Sequence, residues 1–141
     1  MTNAMPILQP VAALMVLTLV VWVAMYWQRL RFVVAHRVPV QDLASPAAID
    51  VTLPEQVNRP SNNLKNLFEL PVVFYAVCLA LQVVQQADAG SVALAWAYVG
   101  LRAVHSAIHC SVNIVALRFV AHVLSSIVLW VMVVRFVMLV A

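Results

Sequence analysis

The chain has 141 residues, 65% hydrophobic and 9% charged, with a formal net charge of +3 and a mean hydropathy of +1.00. A soluble domain carries about a quarter of its residues as charges, so a water-soluble globular protein is excluded, and no nucleic-acid partner is expected. A bilayer core about 30 Å thick is crossed by roughly 20 apolar residues in a helix, and four runs approach that length: Val11 to Trp27, Leu67 to Val84, Ser91 to Cys110 and Phe119 to Val140. The runs are continuous and lack the alternation of barrel strands. The expected architecture is an all-α integral membrane protein, a four-transmembrane-helix bundle forming a single domain over residues 1–141.

Nothing basic precedes Val11 and no small-residue cleavage site follows the first run, which therefore reads as a retained span. Pro10 suits a first helical turn, and the run ends in the aromatic and basic cluster YWQRLRF, with Tyr26 and Trp27 at interface depth. The helix is expected to continue a turn or two beyond the membrane. Pro39, Pro46 and Pro54, with Asp42, Asp50 and Glu55 between or beside them, then predict a loop over about residues 35–61, broken by proline up to Pro60.

The second span begins with Asn62, Asn66 and Glu69, whose spacing of four and three puts them on one helical face. Two cysteines, Cys78 and Cys110, fall inside spans without metal-ligand spacing and read as packing residues. After the short link QQADAGS, helix three carries Tyr98, Arg102, His105, His109 and Asn113, whose spacings of four, three, four and four again put them on one face. The fourth repeats the pattern with Arg118, His122 and Ser125. Short second and third links predict that helices two, three and four are antiparallel neighbours. Arg29, Arg31, Arg37, Arg59 and Lys65 lie in or beside the first connection, while the second has no Lys or Arg. The positive-inside rule makes the first connection cytoplasmic and puts both termini on the opposite side.

Ionisable side chains at membrane depth are costly unless paired or hydrated, and they face a bundle interior or cavity. Glu69 needs a cation, for which Arg102 or a protonated His105 on the neighbouring helix is the expected partner. Such a pair would also serve as interhelical glue. Arg118, Arg29 and Arg31 add cations that few acids neutralise, an arrangement suited to an anionic ligand. His105 and His109 are four apart but lack a third ligand, so no metal site is expected. A proton-coupled transporter would need polar groups through the whole bilayer, whereas the stripe of helix three stops at Tyr98.

At these residues the chain resembles the MAPEG family, the membrane-associated proteins of eicosanoid and glutathione metabolism. RLRF ending helix one, NLFE followed by Pro71 in helix two, RAVHSAIH in helix three and an Arg opening helix four all stand in family order. The resemblance implies a homotrimer of four-helix subunits, in a bacterial inner membrane, that binds glutathione in cytoplasm-facing clefts between subunits. It implies that Arg118 is the catalytic residue, stabilising the glutathione thiolate. Arg31, Asn62, Asn66, Glu69, Arg102, His105 and His109 are the candidate glutathione-binding set. The substrate would be a lipophilic electrophile from the bilayer, attacked in a transferase or peroxidase reaction; the family also includes a lipid-binding accessory protein that does no chemistry. Asn62 stands where several family enzymes have Arg, and His109 where Tyr is common. Phe119 replaces the hydroxyl residue of the prostaglandin-synthesising branch, so that branch's isomerase chemistry is not carried over.

Overall fold

A computed structural model describes residues 6–141, in which six α-helices and one 3-10 turn account for the regular structure. Helix α1 (Leu8–His36) outlasts its apolar run and is stopped by Arg37, left-handed at φ 51°, with the Val38 N–H closing on the Val33 carbonyl at 3.1 Å. A 3-10 turn (Val40–Leu43) and a short helix α2 (Pro46–Thr52) follow. The Ser45 hydroxyl caps α2 by accepting from the Ala48 N–H at 3.1 Å, and Pro46 supplies a preset first turn.

The predicted loop is shorter and more ordered than the prolines suggest. Helix α3 (Glu55–Leu67) starts directly after Pro54 and runs through Pro60. Pro60 removes one main-chain hydrogen bond, the one its N–H would give to the Gln56 carbonyl, but its ring is fully buried. The second span is correspondingly not one helix from Leu67. α3 ends at Leu67, and α4 (Leu70–Val83) begins after Phe68 and Glu69. Pro71 explains the break, because its ring has no N–H for the Leu67 carbonyl and would collide with it in a continuous helix.

Helices α5 (Ala89–Cys110) and α6 (Val115–Val140) match the third and fourth spans to within a turn. The Asp88 carboxylate caps α5, accepting from the Ser91 N–H at 2.8 Å. The Ser91 hydroxyl and N–H, together with Arg135 at 2.9 Å, hold this exposed carboxyl below the ordinary range. The final link turns on Asn113, left-handed at φ 51°, a conformation asparagine tolerates better than most residues.

α5 and α6 form the most extensive pair, while α1 packs on α3, α4 and α5, and α4 leans on α6. α4 meets α5 through Phe74 and Tyr98, whose fully buried rings stack with centroids 4.7 Å apart. Ile7, Leu14, Leu67, Leu129 and Met132 complete the core. Outward-facing Val16, Leu19, Trp22, Ile127 and Trp130 present apolar surface along helices long and apolar enough to cross a membrane. In lipid, packing and interhelical hydrogen bonds carry the cohesion, since tails are as apolar as these side chains.

Candidate functional site

The predicted polar face of α5 holds for four of its five residues; Asn113 is the exception, lying beyond the helix end in the link, left-handed at φ 51°. Tyr98, Arg102, His105 and His109 are all buried, and all turn inward. Arg102 is fully buried, roughly 12 Å below the Cys110 end of the helix at 1.5 Å per residue. Its Nη2 donates to the Asn66 carbonyl at 2.9 Å and its Nη1 to His122 Nδ1 at 3.2 Å. The break before Pro71 makes the first bond possible. Asn66 lies among the last four residues of α3, whose carbonyls have no helical donor, and the guanidinium supplies one.

The same bonds set the imidazole tautomers. Guanidinium can only donate, so His122 accepts at Nδ1 and carries its proton on Nε2. His105 Nδ1 lies 3.0 Å from the Arg118 carbonyl, which can only accept, so its proton is on Nδ1 and its buried Nε2 is left without a partner. The Asn66 amide approaches His109 Nδ1 at 3.5 Å. The His105 ring centroid stands 5.7 Å from those of both His109 and His122. Tyr98 Oη and Arg102 Nε are also buried without a partner.

Nearer the helix ends lies a second layer. The Arg59 guanidinium pairs with Glu55 at 2.9 Å and also donates to the Ser111 carbonyl at the end of α5. The Asn113 amide donates to Glu55 Oε1 at 2.8 Å, and Arg118 Nη1 donates to Asn113 Oδ1 at 2.6 Å. The Ser106 hydroxyl donates to Asn63 Oδ1 at 3.3 Å, and the Asn63 amide reaches Cys110 Sγ at 3.6 Å. Arg29 donates to Ser61 at 2.8 Å and Asn58 at 3.4 Å, tying the end of α1 to α3.

Asn66, Arg102, His105, His109 and Arg118 are thus brought together, and one expectation, the pairing of Glu69 with Arg102, is corrected. Glu69 is exposed and forms no ion pair with Arg102; among the described residues the ion pairs are Arg59–Glu55 and Arg135–Asp88. The Pro71 break displaces it from the face it would share with Asn66 on a continuous helix. Asn62 is half-buried and outside the hydrogen-bond network, whereas its neighbour Asn63 is fully buried and inside it. Arg31 does not join the cluster. It lines a groove of about 490 Å³ with Gln28, Phe32, His36, Gln56 and Val57, on α1 rather than beside α6. Beside Arg31 on the same helix, Trp27, Leu30 and Val34 form an exposed apolar face.

Glu55, Arg59 and Asn63 were not in the predicted set. The signal for the first two is their spacing of four, which pairs a carboxylate with a guanidinium only if the segment is helical. Among the described residues no group of three or more His, Cys, Asp or Glu side chains is placed to hold a metal ion. Both cysteines are free, Cys78 buried and Cys110 half-buried.

The MAPEG family model matches residues 7–138, nearly the whole chain. No curated protein and no solved structure matches it.

Proposed function

The chain belongs to the MAPEG family, and on that premise we propose that it is a membrane-embedded, glutathione-dependent transferase or peroxidase acting on a lipophilic electrophile. Membership makes it a multi-pass membrane protein of the family associated with glutathione and eicosanoid metabolism. The charge of the cluster supports the glutathione-dependent reaction. Three guanidinium groups, Arg59, Arg102 and Arg118, converge with Glu55 as the one carboxylate bonded among them, and Arg59 already neutralises it. Such a surplus suits an anion.

A glutathione thiol of pKa about 8.5 is only a few per cent ionised near pH 7, and a neighbouring cation increases the thiolate fraction. As a guanidinium, Arg118 only donates and cannot act as a base. Its role is electrostatic, favouring the thiolate and holding sulfur against an electrophilic carbon or peroxide oxygen. Asn66, Asn62, Glu69 and His109 border the tripeptide. Arg102 and His105, buried beneath, position the Asn66 carbonyl and the Arg118 main chain.

Arg31 enters only if a neighbouring copy supplies it, which favours a homotrimer with clefts between subunits. The exposed apolar face of α1 along Trp27, Leu30 and Val34 would meet a lipophilic substrate in the bilayer. The basic residues Arg29, Arg31, Arg37, Arg59 and Lys65 favour a cytoplasm-facing site in a bacterial inner membrane, with the termini opposite. A second reading, a non-catalytic lipid-binding or accessory protein, is favoured by the same exposed apolar face.

Calorimetric titration of the detergent-solubilised protein with reduced glutathione separates the two. Saturable binding that disappears in an Arg118→Ala variant of unchanged assembly is the expected result. No binding by the intact wild type leaves the lipid-binding reading in its place.

A further inference from the structure

Arg118 is not free to swing. Its Nη1 donates to Asn113 Oδ1 at 2.6 Å, the amide of the same Asn113 donates to Glu55 Oε1 at 2.8 Å, and the Glu55 carboxylate is gripped by Arg59 at 2.9–3.1 Å. Arg59 in turn donates to the Ser111 carbonyl in the α5–α6 link. The relay joins the first turn of α3, the link and the first turn of α6, three segments far apart in sequence. Left-handed Asn113, at φ 51°, lies between the two partners and bonds to both.

We propose that Glu55, acting through Asn113, is a positioning residue that holds the Arg118 guanidinium in one orientation while leaving its charge available to a thiolate. The inference rests on the glutathione reading of Arg118. The physical case lies in what sits between the two charges. A carboxylate bonded directly to Arg118 would orient it but cancel most of its field at a bound sulfur. A neutral amide transmits the orientation without the cancellation, and Arg59 absorbs the charge of Glu55. Arginine has a long, rotamer-rich side chain, and ordering it before the ligand arrives removes that entropy from the binding step. Electrostatic stabilisation of a developing or bound anion depends on such preorganisation.

Two measurements on the purified full-length protein test this. The first is the apparent pKa of bound glutathione, followed through the ultraviolet absorbance of its thiolate as pH is raised. Asn113→Gly keeps the backbone conformation of the link, removes the tether and changes no charge. It is expected to raise the bound thiol pKa by about half a unit to one unit, a roughly three- to tenfold loss of thiolate at a fixed pH below it. Asn113→Asp, which puts a carboxylate against Arg118, is expected to raise it further.

The second measurement needs no ligand. In side-chain ¹⁵N–¹H spectra, with Arg118→Ala identifying the resonance, the Arg118 Nε–H is expected to be ordered in the wild type. It should become mobile in both Asn113→Gly and Glu55→Ala. A folded Asn113→Gly variant with wild-type thiol pKa and an unchanged Arg118 resonance overturns the proposal. If the wild type itself does not lower the thiol pKa, the glutathione reading fails. The spectra alone then decide the tether, an unchanged Arg118 resonance in both variants refuting it and a mobile one sustaining it.

Discussion

Arg102→Met separates binding from folding most sharply. The side chain is fully buried, and no carboxylate lies within ion-pair distance of it among the described residues. Its two hydrogen bonds, to the Asn66 carbonyl and His122 Nδ1, are worth about 1.5–3 kcal/mol each by the usual range for charged donors. Against them stands the cost of keeping a guanidinium out of water, still several kcal/mol after relaxation. The two terms are of similar size and opposite sign. Methionine fills the aliphatic part of the volume and carries no charge, so stability is expected to stay within about 1 kcal/mol of wild type. Glutathione affinity, by contrast, should fall at least about tenfold, or about 1.4 kcal/mol, because the Asn66 main chain at the end of α3 loses its anchor. Reversible unfolding in mixed micelles, followed by circular dichroism, gives the first quantity, and calorimetry the second. A loss of more than about 3 kcal/mol in stability with unchanged glutathione affinity would refute the reasoning and make Arg102 a purely structural residue.

The bond between Asn63 and Ser106 is fully buried between α3 and α5, and a double-mutant cycle with Asn63→Ala and Ser106→Ala is expected to give a coupling of about 0.6 kcal/mol, the usual size for polar contacts between membrane helices. A coupling above about 2 kcal/mol would mean that polar glue dominates the bundle. At the opposite end, the folded-state pKa of Asp88 is depressed, so its contribution to stability is present above the unfolded carboxylate pKa of about 4 and is lost as pH falls through the folded value. The difference in thermal midpoint between wild type and Asp88→Asn should therefore shrink as pH is lowered from about 6 to about 3; a difference that stays constant would mean that the pairing with Arg135 and Ser91 is energetically silent.

Composition alone determined the class, because 65% hydrophobic residues in four long runs have no soluble solution, and a lipid phase admits only helices or closed barrels. Helical periodicity also determined which side of α5 is polar: Tyr98, Arg102, His105 and His109 share a face by spacing, and all are buried. The order of NLFE, RAVHSAIH and Arg118 along the chain carried the family, and the family model covers the same stretch.

What periodicity could not decide was where helices stop and which groups meet. Proline acts with different outcomes at two positions: Pro60 is absorbed inside α3, whereas Pro71 coincides with the break at Glu69, which is exposed and forms no ion pair with Arg102. Asn62 and Asn63 are equally polar in the sequence, and only the rotation of α3 against α5 selects Asn63 for burial. Glu55 and Asn113 are 58 residues apart, and their bond exists because the start of α3 and the α5–α6 link lie at the same level of the bundle. Pairing of this kind depends on the angles and depths at which whole helices pack, and those are set by side-chain contacts along their full length rather than by any local run of residues.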